Sequence, residues 1–369
     1  MRNQSVTLCT GAHRPAAPED DGAAHGRRGA PWSPLTRDVD IPFATAATGP
    51  PARPPPGAPA LAPALDDTEL AVAADALALG QWARVRTLLA GTGTDWDRRG
   101  HRLTVLAACP GSVAWAGDWQ LAEPDSGDAA TLLALATVRR ALRGRTTTGD
   151  AAAACATAAR MLPDDPTPWL GALLLARRAG TPDERAYAFH QIRARHPDHH
   201  HAHHLMTAAL AEDRPEGTCG PHHPAHGFAA RAAERAPADS PLALLPVVAH
   251  AERYRVRARA GLEPPDPADS GHWATRHAHA VQRAAFDWWL EWEGEGHPRS
   301  KVDVNFLAHA TFHQGRLAEA ATLFQRIGPH ATRAPWSYAG RDAEGAFRAA
   351  REAALGGDHD RDDDRRDPG

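Results

Sequence analysis

Apolar residues recur at intervals of three and four along most of the chain's interior, the spacing that gathers them on one face of an α-helix. The first such run carries Leu70, Val72, Leu77 and Leu79, opens on the capping pair Asp67-Thr68 and stops at Gly80. Gln81 to Leu89 then returns antiparallel. Ala129 to Leu142, ended by Gly144, pairs with Asp150 to Leu162, with Asp150 as the N-cap and Pro163 as the stop. Trp169 to Ala179 and Asp183 to Ala194 form a further hairpin, and Asp198 to Ala211 pairs with Phe228 to Ala236 across an insertion at 214–227. Pro241 to Ala260 and His272 to Glu293 read as longer helices around the loop Glu263-Pro264-Pro265-Asp266-Pro267. Val302 to His313, Leu317 to Ile327 and a terminal helix Asp342 to Leu355 close the series. Val105 to Trp119 is left without ends, because Pro110 and Gly111 interrupt a weak pattern.

Composition sharpens this into an all-α expectation. Roughly a fifth of the residues are Ala while β-branched and aromatic residues are scarce, so helix is favoured over strand. Residues 1–64 are rich in Pro, Gly, Ala and Arg with no apolar period, and read as a disordered leader; 356–369 read as a short, solvated charged tail. The helical domain is therefore expected over 66–355. Net charge is −4 and the basic residues are dispersed, which argues against nucleic acid. Lys301 is the single Lys among 41 basic residues, a bias that fits a GC-rich genome rather than an Arg-specific ligand. No run approaches about 18 consecutive apolar residues, so no membrane span is expected. Cys9, Cys109, Cys155 and Cys219 follow no paired spacing, as suits a reducing cytoplasm.

Two windows, Trp169 to Pro197 and Val304 to Phe324, have the same plan: apolar helix, Gly turn, second helix with an aromatic anchor. Trp169, Gly180, Phe189 and Pro197 fall at the relative spacings of a tetratricopeptide repeat, and Pro163 and Pro197 are 34 residues apart. Leu307, Ala308, Gly315, Ala320 and Phe324 repeat part of the pattern. The windows resemble degenerate tetratricopeptide repeats, with departures at Ala172, Leu173, Ala176 and Arg185 and at Val304, Thr311 and Thr332. This resemblance implies an α-solenoid of antiparallel helical hairpins whose first helices line a concave groove for a peptide or protein partner. Extending the frame places Arg177, Arg178, His201, His204, Asn305, His309, Phe312 and His313 on that groove. Arg beside His would favour an acidic peptide.

Chemistry-bearing motifs are few. His196, His199, His200, His201, His203 and His204 crowd one segment, followed by Cys219, His222, His223 and His226. His199 and His203 stand one helical turn apart, the spacing of two imidazole ligands, and with Cys219, His222 and His226 they make the candidate metal set. A solvated His run beside a Pro/Gly-rich insertion is the competing reading, and no stoichiometric Zn is expected. Val281, Ala284, Ala285, Trp288 and Trp292 are expected to share one core-facing stripe of a helix, with Trp289 beside it and His277 and His279 exposed. No nucleophile elbow, zinc-protease pair, phosphate loop or dinucleotide fingerprint is present. The sequence thus points to a non-catalytic, cofactor-free interaction scaffold, with metal binding or an inter-helix enzyme site as alternatives.

Overall fold

The computed structural model describes residues 60–213, 220–292 and 296–356. These hold fifteen α-helices: α1 (Thr68–Ala78), α2 (Trp82–Thr92), α3 (Trp96–Leu106), α4 (Ser112–Ala122), α5 (Gly127–Leu142), α6 (Thr148–Met161), α7 (Thr167–Ala179), α8 (Pro182–Arg195), α9 (His200–Glu212), α10 (Pro224–Arg235), α11 (Leu245–Arg259), α12 (Arg276–Trp292), α13 (Ser300–His313), α14 (Leu317–Ile327) and α15 (Ala343–Gly356). Among the described residues the only extended pairing is an isolated bridge between Ala60 and His330. Successive helices pack in pairs, α1 on α2, α5 on α6, α7 on α8, α9 on α10 and α13 on α14, and neighbouring pairs join through both their first and their second helices, as α5 and α6 do on α7. No helix of the described residues is long and apolar enough to cross a membrane.

Local chemistry explains where helices begin and how close they come. Asp67, Asp95 and Ser126 accept the backbone N–H three residues on, and Thr181 with Glu184 forms a reciprocal capping box at α8. Gly315 takes φ +75°, which lets α13 turn directly into α14. Gly171 serves closeness instead: a Cβ there would stand 2.9 Å from Leu135 Cδ2 and 3.1 Å from Cys155 Sγ, so its absence allows α7 to seat on α5 and α6. Cys155 is a buried free thiol in that contact, as its place in an Ala run implies.

The segment left without ends holds the close of α3 and most of α4, and α3 itself, which the sequence pattern did not assign, is the decisive element. α3 has polar composition, yet every residue from Arg99 to Leu106 is buried, because α3 touches α1, α2, α5, α7 and α9. Its charges are matched. Arg99 donates to Asp165 at 2.6 Å and to Asp128 at 2.5 Å, and Arg102 donates to Asp67, Glu69 and Thr92 Oγ1. Thus α3 lies against the first helices α5, α7 and α9, on the face where the repeat resemblance implies an open groove.

Several boundaries differ from the expectation. The N-cap of α6 is Thr147, which accepts the Asp150 N–H, so Asp150 lies inside the first turn. Residues 60–64 belong to the folded body rather than to the leader: Ala64 is buried, Leu61 packs on the core, and the Ala60 N–H donates to the Pro329 carbonyl at 2.9 Å. The rest of the expected leader and the tail beyond Gly356 lie outside the described residues. Pro241 starts a 3-10 turn, and α11 begins only at Leu245. On α12 the buried face carries Ala278, Gln282, Ala285, Phe286 and Trp289, rotated from the expected stripe, so Trp292 is exposed and Trp288 bonds the Ala238 carbonyl.

Phe324 is fully buried against Trp336 and Phe347, with ring centroids 5.7 and 5.3 Å away. Phe324→Ala should lower unfolding free energy by about 3–5 kcal/mol in urea titration, since three rings lose a shared contact. A change under about 1 kcal/mol would show that this cluster does not carry the C-terminal half.

Candidate functional site

The His run starts α9, but it is buried rather than solvated: His199, His200, His201, His203 and His204 all lie inside. Two carboxylates from distant segments organise it. Asp97, in the first turn of α3, accepts the His200 backbone N–H at 2.9 Å and lies 2.9 Å from His196 Nε2, with His199 and His297 within 3.5 Å. It therefore caps α9 with a side chain from another helix. Asp303, in the first turn of α13, accepts from His200 Nε2 at 2.7 Å and stands 3.0 Å from His204 Nε2. Gly100 helps the approach, since a Cβ there would sit 3.3 Å from His199 Nε2.

Burial by itself would raise both acids, yet the imidazoles and N–H groups around Asp97 and Asp303 hold each below the ordinary carboxylate range. The histidines move oppositely. Desolvation pushes His200 down to about 3, so it is a neutral N–H donor to an ionised Asp303. His200, His204 and Asp303 bring three ligand atoms within 4.8 Å of one another, and Asp303 already bonds His200 and pairs with His204, so the set closes on itself as an ion network.

Beside this network lies a cavity of about 120 Å³ between α3, α9, α11 and α13, lidded by residues 61–65 and 331–334. Its wall is mostly apolar, with Leu65, Val105, Leu205, Val248 and Phe306. The polar exceptions differ in kind. Arg177 is ion-paired with Glu212, and Glu252 is held by Arg255 and the Tyr338 hydroxyl. Arg299, though buried, makes no ion pair or side-chain hydrogen bond among the described residues and its Nε has no partner, with Asp303 and Asp97 attracting it only from beyond bonding distance. Neither ring nitrogen of His201 or His101 has a hydrogen-bond partner, although His101 points toward the Ala64 carbonyl.

A second imidazole cluster joins His226 of α10, His250 of α11 and His277 of α12, again with ligand atoms within 4.8 Å of one another. Burial lowers His226 to about 3 and His250 to about 2, so both are neutral.

The residues singled out by sequence are thus distributed. Arg177, His201 and His204 meet in the central cavity; Arg178 is half-buried and lines no part of it. Asn305 is fully committed, donating to the carbonyls of Lys301 and His330 and accepting from Trp336 Nε1 and the Thr332 N–H. His309 sits between Trp273 and Trp336 with the half-buried His313 beside it, while Phe312 is partly buried against the core. The metal set His199, His203, Cys219, His222 and His226 is not assembled: His199 faces Asp97, His203 packs on Phe189 and Phe228, His222 is exposed, and Cys219 lies outside the described residues. The i,i+4 spacing was the right signal one residue out of phase, because His200 and His204, not His199 and His203, share a carboxylate. His277 is half-buried, not exposed. Asp97, Asp303, His101, Arg299 and His250 carry no local motif.

The buried histidines make stability acid-sensitive. Below the ordinary value of 6.5 the unfolded chain takes up protons that His199, held near 4, and His101, held near 3, refuse in the folded state. Stability should be flat above about pH 6.5 and fall steadily toward pH 4, whereas Asp97 and Asp303, depressed below 3.8, add their loss only at lower pH. Thermal melts from pH 8 to 4 check this. A melting temperature unchanged down to pH 5 would contradict neutral, buried imidazoles.

Comparison with protein-family models, with curated proteins and with solved structures finds no match, so any functional reading of this chain rests on its own geometry.

Proposed function

We propose that the protein binds a small, largely apolar anion, of the monocarboxylate class, in the cavity between α3, α9, α11 and α13. The observation that carries this reading is Arg299. A buried guanidinium without a hydrogen-bonding anion is costly, and a carboxylate matches its planar fork. His201 and His101 supply further unpartnered nitrogens, and the remaining wall is apolar. Size sets the ligand class: an apolar cavity of about 150 Å³ takes benzene, and this one is of similar volume at about 120 Å³.

A peptide in a concave groove, which the repeat resemblance implies, is the competing reading. α3 and residues 61–65 occupy the face where such a peptide would lie, and this favours the small ligand.

The test is thermal shift and calorimetry with straight-chain carboxylates from acetate to octanoate, beside the matching neutral amides. Carboxylates of intermediate length should bind saturably and raise the melting temperature, by about 2.7 kcal/mol of stabilisation at a hundred times Kd. Arg299→Met should weaken binding by about 2–5 kcal/mol, thirtyfold or more. Equal binding of amides, or an unaffected Arg299→Met variant, would overturn the assignment.

A further inference from the structure

The cluster of His226, His250 and His277 takes no part in the central cavity, and its chemistry is unlike the Asp-centred network. His226 lies in the first turn of α10, His277 in the first turn of α12, and His250 midway along α11, so three separate helices converge on one point. His250 Nε2 is 2.9 Å from His277 Nδ1, and the ring of His226 lies 4.4 Å from that of His250. No carboxylate of the described residues is ion-paired with any of the three.

Hydrogen bonding leaves this arrangement incomplete. The one His250–His277 bond uses a single N–H and a single lone pair, while His250 Nδ1 stays buried without a partner. A neighbouring imidazole supports the group: His272 Nε2 meets the His250 carbonyl at 3.0 Å, fixing the turn beside α11. Side chains that merely fill a core would be apolar here, as the buried Trp273 beside His250 is.

We propose that His226, His250 and His277 form a binding site for a divalent transition-metal ion of the Zn²⁺ class. Each imidazole offers a nitrogen lone pair, and three such donors on a borderline cation make a three-coordinate base with water as the fourth ligand. A set without thiolate or carboxylate selects Zn²⁺, Co²⁺, Ni²⁺ or Cu²⁺ over Mg²⁺ and Ca²⁺. His277 is half-buried, so the ion reaches the site from solvent. Cys219 and the exposed His222 are not needed for it.

Co²⁺ is the probe, added to the metal-free, untagged full-length chain. One equivalent should bind with the strong visible d–d absorption of a tetrahedral site, and excess Zn²⁺ should displace it. His277→Ala, at a half-buried position, and His226→Ala should each weaken binding by about tenfold or more, with helicity checked by circular dichroism. His204→Ala, in the other His-rich cluster, should leave the Co²⁺ isotherm unchanged. The assignment is overturned if no Co²⁺ binds, if several weak octahedral equivalents bind, if binding survives both His277→Ala and His226→Ala, or if it is His204→Ala that abolishes it.

Discussion

Two carboxylates hold α9 in place, the largely buried Asp97 reaching from α3 and the buried Asp303 from α13, and the interior of the molecule is arranged around them. Burying an ionised acid costs several kcal/mol unless hydrogen bonds replace the lost water. Here the replacement is a set of imidazoles, with His200 neutral among them, and the free N–H at the start of α9. Each acid lies about a hundred residues from its His partners, 103 for His200 and both Asp97 and Asp303. The same bonds that satisfy the acids therefore tie early, middle and late segments of the chain together. Removing either acid would leave histidines facing one another with nothing to accept from them.

This constraint also decides what the interior between the helix pairs can do. With α3 bound along α5, α7 and α9, these helices look onto protein, and what remains is a small, partly open cavity. Two of the charged residues that line it, Arg177 and Glu252, belong to a larger seam. Arg177, Glu212, Arg255 and Glu252 alternate in sign and neutralise one another, a structural seam. The Arg299 guanidinium makes no hydrogen bond there, with Asp303 and Asp97 attracting it only from beyond bonding distance, and the proposed carboxylate ligand rests on that difference.

Much of the helical plan was legible because it is written in local pattern. α14 lies at Leu317–Ile327, where its period and Gly315 place it, and the hairpins α7/α8 and α13/α14 form from the two windows that resemble a repeat. α3 was not legible, since its apolar residues Leu103, Val105 and Leu106 crowd its last turn, while Arg99 and Arg102 are buried only because their carboxylate partners stand on other segments. The His run misled for a related reason. Histidine next to histidine reads as solvated when the acids that bury it stand on other helices, and an i,i+4 spacing repeated at successive positions does not fix which pair shares a ligand. The cluster of His226, His250 and His277 lay beyond reach because each residue comes from a different helix.

The account rests on the His run being inside the fold, and carbethoxylation by diethyl pyrocarbonate, read residue by residue by mass spectrometry, addresses that directly. In the native chain His199, His200 and His201 should stay unmodified while the exposed His222 and His279 react, and all should react once the chain is unfolded. Modification of His199 to His201 at the rate of His279, with helicity intact, would contradict the buried carboxylate–imidazole network on which the interior depends.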